Sequence, residues 1–164
     1  MEMVDVIDEN GDFVNTVRRK EAYERRLKIK AAFVVVKNSR NEIHISQRSK
    51  NKEIFPLRWQ VGAGGAVKSG ESFGDAAKRE LREEMGVVTD SLKFLFEYDY
   101  TDEKNNYRGR VYLVEWDGDV DIDKEEMSTG KWVSKQEITE KIGEGFFCPD
   151  TEKCINRYIE MGII

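Results

Sequence analysis

One helix in this chain of 164 residues has both of its ends written in the sequence. Between Ser72 and Met85, apolar side chains fall at helical spacing, with Ala77, Leu81 and Met85 on one stripe, and Gly86 stands where a left-handed residue closes a helix. So narrow a stripe buries only one face, so the helix must dock on another layer of structure. The rest of the chain supplies that layer as short strands.

Val4 to Ile7 and Phe13 to Val17 flank Asn10-Gly11, a dipeptide that favours a tight hairpin turn. Residues 18–30 read as a polar, charge-dense connector. Ala31 to Val36 and Glu42 to Gln47 form a second expected hairpin, turning at Asn38 to Asn41. Pro56 to Val61 is a short extended piece leading into the glycine-rich segment Gly62 to Gly65. After the helix, Leu92 to Tyr100 and Val111 to Trp116 are strands joined by a turn around Asn105-Asn106, and Asp117 to Glu126 is an acidic loop. Ser134 and Glu137 stand at capping-box spacing, starting a helix near Gln136, and a last helix follows Pro149-Asp150 with Ile155, Tyr158, Ile159 and Gly162 on one face. The sum is an α/β (α+β) arrangement in a single domain over residues 1–164, a mixed sheet with interspersed helices and an N-terminal hairpin and connector over 1–30.

Composition narrows the function. A formal charge of −5 argues against a general nucleic-acid binder, which carries a basic excess. The longest apolar run, Ala31 to Val36, is too short to span a bilayer, so no membrane partner is expected. The acidic start, Met1 to Asp5, lacks the pattern of a secretory signal, and a cytoplasmic location is the expectation. Cys148 and Cys154 do not form a zinc or redox motif and are read as reduced thiols near a core edge; His44 is the single histidine and is read as structural or exposed. Chemistry must therefore rest on carboxylates, arginine, lysine and backbone.

Glu80, Glu83 and Glu84 stand at i, i+3 and i+4, so their carboxylates share one patch of the helix surface. Like charges at that spacing repel, and such a patch is either a solvated face or a holder of a cation. Oxygen ligands without His or Cys select a hard cation, Mg²⁺ or Mn²⁺. Arg79, four residues before Glu83, is placed to brace it.

The whole segment decides between these readings. Gly65, Glu71, Arg79, Glu80, Leu81, Glu83, Glu84, Gly86 and Val87 match the pattern G-x5-E-x7-R-E-U-x-E-E-x-G-U, with U apolar. At ordinary residue usage such a match arises by chance in roughly one window in a billion. The segment Gly65 to Val87 resembles a Nudix box, and the chain resembles the Nudix hydrolase family. That resemblance implies an α/β/α sandwich with a mixed β-sheet, and divalent-metal-dependent cleavage of a diphosphate linkage in a nucleoside diphosphate linked to another group, or in a nucleoside di- or triphosphate. It implies Glu80, Glu83 and Glu84 as metal-binding and base-supplying carboxylates, with Glu80 as base or ligand, and the Gly64 carbonyl as a further metal ligand. Glu71 and Arg79 then support the loop and orient the catalytic helix. The implied partner is a small nucleotide-type diphosphate; homodimers are common in the family.

Val4 to Gly11, Gln47-Arg48-Ser49, Lys52, Trp59, the glycine-rich turn and Phe146 to Asp150 are similar to the isopentenyl-diphosphate isomerase-like branch, which implies Arg48 and Lys52 as diphosphate-gripping side chains. Isomerases, however, use a cysteine in the loop entering the box, where this chain has Val61 to Gly65, and histidines where it has Tyr23, Lys30 and Ala66. Their acidic pair aligns with Arg108 and Arg110. Hydrolysis is therefore the expected activity, with isomerisation or non-catalytic nucleotide sensing as the alternatives. Glu125 or Glu126 is a candidate additional acid, while the alternating Asp117, Asp119, Asp121 and Asp123 lack the glycine and terminal glutamate of a calcium loop. Trp59, Phe55 and Phe147 are read as core aromatics with a ring pocket as the alternative. The basic run from Arg18 to Lys30 is read as a solvated connector or dimer surface.

Overall fold

The computed structural model describes residues 1–164. Its elements run β1 (Met3–Ile7), β2 (Phe13–Arg18), α1 (Arg19–Glu24), β3 (Ile29–Lys37), β4 (Ile43–Arg48), β5 (Trp59–Val61), β6 (Ala63–Ala66), α2 (Phe73–Met85), β7 (Lys93–Thr101), β8 (Asn106–Glu115), β9 (Met127–Val133), α3 (Lys135–Glu140) and α4 (Pro149–Glu160).

Strand β3 is the axis of a mixed sheet. Along one edge it pairs in parallel with β8 over its whole length, Ile29↔Tyr107 to Lys37↔Glu115. The opposite edge is shared in turn by β1 at Val6↔Ile29, by β6 from Ala31↔Ala66 to Val34↔Ala63, and by β4 at Lys37↔Ile43. With both edges occupied, β3 and β4 do not form the two-stranded hairpin the sequence suggests; they touch at that single pair, and β4 pairs with β5 and β9 instead. A strand enclosed in this way is buried on both faces, which accounts for its continuous apolar run. Val35 packs with α3 and α4 through Ile138, Ile155 and Tyr158, whereas Ala32, Val34 and Val36 pack with α2 through Ala76, Ala77, Leu81 and Met85. Helices therefore cover both faces of the sheet, and a third cluster, including Val4, Val17 and Ala22, fixes the N-terminal hairpin and α1.

Both written ends of α2 hold. The Ser72 hydroxyl accepts the Asp75 N–H at 3.1 Å, and Gly86 closes the helix at φ 67°, its N–H donating to the Arg82 carbonyl. The capping box at Ser134 and Glu137 is present in both directions. Three expectations need correction. The connector over 18–30 contains the helix α1, and Lys28 within it is buried, donating to Glu9 and Asp99 at 3.0 Å each. The glycine-rich segment is no loop: Ala63 to Ala66 is a strand laid against β3, made possible by Gly62 at φ 64°, where a Cβ would stand 1.7 Å from the Val34 carbonyl oxygen. β9 follows the acidic loop as a strand the sequence pattern does not indicate, since Met127–Val133 runs through Ser128, Thr129, Gly130 and Lys131 without apolar alternation. Cys148 and Cys154 are free and buried.

Candidate active site

The helix α2 lies with its C-terminal half against β6, which delivers the carboxylates of the box to the backbone of the glycine-rich strand. Glu84 is buried; its two oxygens accept from the Gly64 N–H at 3.2 Å and from the Gln60 amide at 3.3 Å. Burial, and then the charge of neighbouring Glu80, push the Glu84 carboxyl well above the usual carboxylate range. Glu80 lies over Gly65, where an added Cβ would stand 2.6 Å from its Oε1. Glu83, one turn on from Arg79, is half exposed.

Arg79 organises this group. Its Nε and Nη2 donate to the two oxygens of Glu71 at 2.8 and 3.0 Å, Nη2 also reaches the Ala66 carbonyl at 3.1 Å, and Nη1 donates to Glu80 at 2.5 Å and Glu83 at 3.3 Å. Glu71 in turn accepts the Lys68 N–H at 3.0 Å, tying the loop before α2 to the same guanidinium. The hydrogen bond to Glu71, despite partial burial, holds Arg79 above the ordinary arginine range; burial would raise the Glu71 carboxyl, but the hydrogen bonds from Arg79 and Lys68 bring it below its ordinary value.

The carboxylates open on a cleft of about 1540 Å³. Arg48 and Lys52 both line it, as do Gln60, Gly64, Glu80, Glu83 and Glu84. Arg48 donates through Nε to the Ile54 carbonyl at 2.9 Å and through Nη1 to Gln60 at 3.1 Å; Lys52 is ion-paired with Glu126. Of the two acids weighed from the loop, Glu126 lines the cleft and Glu125 does not. The acidic loop reaches this place because the Asp121 and Asp123 N–H groups cap the Met85 and Glu84 carbonyls at 2.9 and 3.0 Å. Gly64 meets the carboxylates through its N–H.

The chemistry of these donors suits a hard cation. Glu84 is a buried carboxylate beside a second one, with an amide and a backbone N–H as its hydrogen-bond donors, so a positive charge among these oxygens would offset both desolvation and repulsion. Glu80, Glu83 and Glu84 would hold it. They are not drawn together into one three-carboxylate cluster, since Arg79 holds Glu80 and Glu83.

Other readings resolve as follows. Phe147 is core, Trp59 stacks on Phe146 with centroids 5.3 Å apart, and Phe55 lines the cleft. His44 is buried with Nδ1 unpartnered, its ring edge-on to Trp132, and burial lowers it to about 4. Part of the basic run is cleft wall, not surface: Arg18, Arg19, Lys20 and Tyr23 line it, with the Arg19 guanidinium over the Tyr23 ring at 5.6 Å. At the positions aligned with isomerase ligands, Ala66 is core, Lys30 lies over Phe73, and Arg108 and Arg110 pair with Asp99 and Glu97. Gln60 went unread because an isolated glutamine on a short strand carries no pattern.

A family model described as NUDIX domain matches residues 27–147. An uncharacterized Nudix hydrolase of Streptomyces coelicolor is 33% identical over 151 residues, covering 91% of this chain and 83% of that one. A crystal structure from Deinococcus radiodurans superposes with a TM-score of 0.83 at 26% identity, covering 95% of this chain and 98% of that one. A bifunctional NMN adenylyltransferase/ADP ribose pyrophosphatase of Francisella tularensis, complexed with AMP and manganese, shares the fold at a TM-score of 0.64 and 18% identity, over 80% of this chain and 41% of that one.

Proposed function

Given that the chain belongs to the Nudix family and is a Nudix hydrolase, we propose that it cleaves a diphosphate linkage in a small nucleotide-type molecule, with Mg²⁺ or Mn²⁺ as cofactor. The observation that carries this reading is the meeting of Glu80 and Glu84 at Gly64 and Gly65, in the same cleft as Arg48 and Lys52. Opposed cation-seeking and anion-seeking groups are what a metal-bound polyphosphate requires. The Francisella neighbour, bound to AMP and manganese, supports the ligand class and the ion.

A bound divalent cation would neutralise phosphate oxygens and make an attacking water more acidic. The protein supplies the remainder. Arg48 keeps its Nη2 free of partners within the chain and so can grip a phosphate oxygen. Lys52 reaches the same cleft once loosened from Glu126. Glu80 accepts the proton of water as its oxygen bonds to phosphorus and the bridging P–O bond breaks, the electron pair leaving on the departing phosphate. Arg79, fixed on Glu71, keeps Glu80 aimed. Arg79 and Glu80 of α2, held by Glu71 from the loop before it, thus form the working face, and Glu83 and Glu84 complete the cation site. No helix is long and apolar enough to cross a membrane.

The test is a panel of nucleoside di- and triphosphates, dinucleotides, nucleotide sugars and isoprenoid diphosphates, assayed with and without Mg²⁺. Metal-dependent release of phosphate-bearing products from nucleotide substrates is expected; substrate binding without turnover in any metal would overturn the reading.

A further inference from the structure

Between the residue that grips anions and the residue that seeks cations stands one neutral amide. Ser46 of β4 pairs with Gln60 of β5, and strand alternation places Arg48 on the same face as Ser46, diagonal to Gln60. From there the Gln60 oxygen accepts from Arg48 Nη1 at 3.1 Å, and its nitrogen donates to Glu84 Oε2 at 3.3 Å and to the Gly62 carbonyl at 3.4 Å. An arginine can only donate and an ionised carboxylate can only accept, so the group between them must do both, and the amide does so in one orientation only.

Charge gives the arrangement its purpose. Glu84 is a buried carboxylate with no basic side chain bonded to it, and Arg48 lines the same cleft within reach of the same amide. Each of the amide's two bonds has one ionised partner; removing the amide would let the guanidinium take the carboxylate directly, as a pair in which both partners are ionised. That pair would remove a cation ligand and an anion grip together. We propose that Gln60 is a positioning residue that holds Arg48 and Glu84 apart, keeping the two halves of the site uncancelled. The proposal rests on the metal-dependent reading above and names a residue through which it is maintained.

The test is Mn²⁺ affinity by calorimetry, with KM and kcat, for the wild type, Gln60→Ala, Gln60→Met, Arg48→Ala, the Arg48→Ala/Gln60→Ala double variant, and Glu84→Gln. Loss of a residue that orients a metal ligand weakens metal binding about 10- to 100-fold. Gln60→Ala and Gln60→Met are expected to lose Mn²⁺ affinity at the lower end of that range and to raise KM. Arg48→Ala raises KM while Mn²⁺ binding stays near wild type. The double variant recovers Mn²⁺ affinity, because the competing cation is gone; recovery also shows that the chain still folds. Unchanged affinity in Gln60→Ala overturns the proposal, as does a double variant as weak as Gln60→Ala. Loss in Gln60→Ala with none in Gln60→Met would make the effect a cavity and overturn it too. In all of these, Glu84→Gln must bind Mn²⁺ weakly; if it binds like the wild type, the metal site itself is misassigned and both readings fall.

Discussion

Arg79 grips Glu71 through two parallel hydrogen bonds of 2.8 and 3.0 Å, while the same guanidinium reaches Glu80 at 2.5 Å. One planar cation thus locks the entry loop and aims the helix. Lysine offers a single charged head and cannot reproduce the fork. Arg79→Lys is expected to lower kcat by about 10- to 100-fold with a small change in KM, and Arg79→Ala to lower stability by about 3 kcal/mol, since the mostly buried Glu71 is left unpaired. Steady-state kinetics and urea unfolding check the two halves.

Glu84 pulls stability and activity in opposite directions. As a buried carboxylate beside Glu80 it burdens the metal-free fold. Glu84→Gln, assayed in chelator, is expected to melt no lower than the wild type, yet its turnover with Mg²⁺ should fall by several orders of magnitude. A lowered melting temperature would mean that the carboxylate is a structural group.

Two glycines in one segment should fail differently. At Gly62 a Cβ would meet the Val34 backbone at 1.7 Å, so Gly62→Ala is expected to be poorly folded. At Gly65 the Cβ meets the Glu80 carboxyl at 2.6 Å, a side-chain tip that can move. Gly65→Ala should keep nearly the wild-type melting temperature and lose activity. Thermal melts and a Mg²⁺-dependent assay on both variants separate the cases.

His44 provides an acid-sensitive point outside the lining of the cleft. Burial lowers it from 6.5 to about 4, so the unfolded chain binds the proton more readily than the folded one between those values. Its contribution is fully present above pH 6.5 and is lost as pH falls toward 4. At pH 5 this amounts to about 2 kcal/mol. His44→Phe, which keeps an aromatic ring against Trp132, is expected to flatten the decline between pH 7 and 5 in denaturant titrations.

Local signals were readable, and pairing was not. Ser72, Gly86 and the Ala77-Leu81-Met85 stripe set α2 without any knowledge of the sheet, because capping and periodicity act within a few residues. The box also marked the carboxylates. What escaped the sequence depends on distant partners: β9 is a strand because β4 needs an edge neighbour from Ile43↔Val133 to Arg48↔Met127, and Ala63 to Ala66 is extended because β3 offers it an edge. Lys28, inside a run that looks solvated, is buried because Glu9 and Asp99 arrive from elsewhere in the chain. Gln60 gains meaning only when Arg48 and Glu84 are seen on either side of it.

The family match begins at residue 27, yet Met1, Glu2, Met3, Arg19 and Tyr23 line the same cleft. The carboxylates of the box and this part of the cleft wall are thus encoded in separate stretches of chain. Exchanging the leading hairpin for that of a relative would therefore rebuild one wall of the cleft while leaving every residue of the box in place.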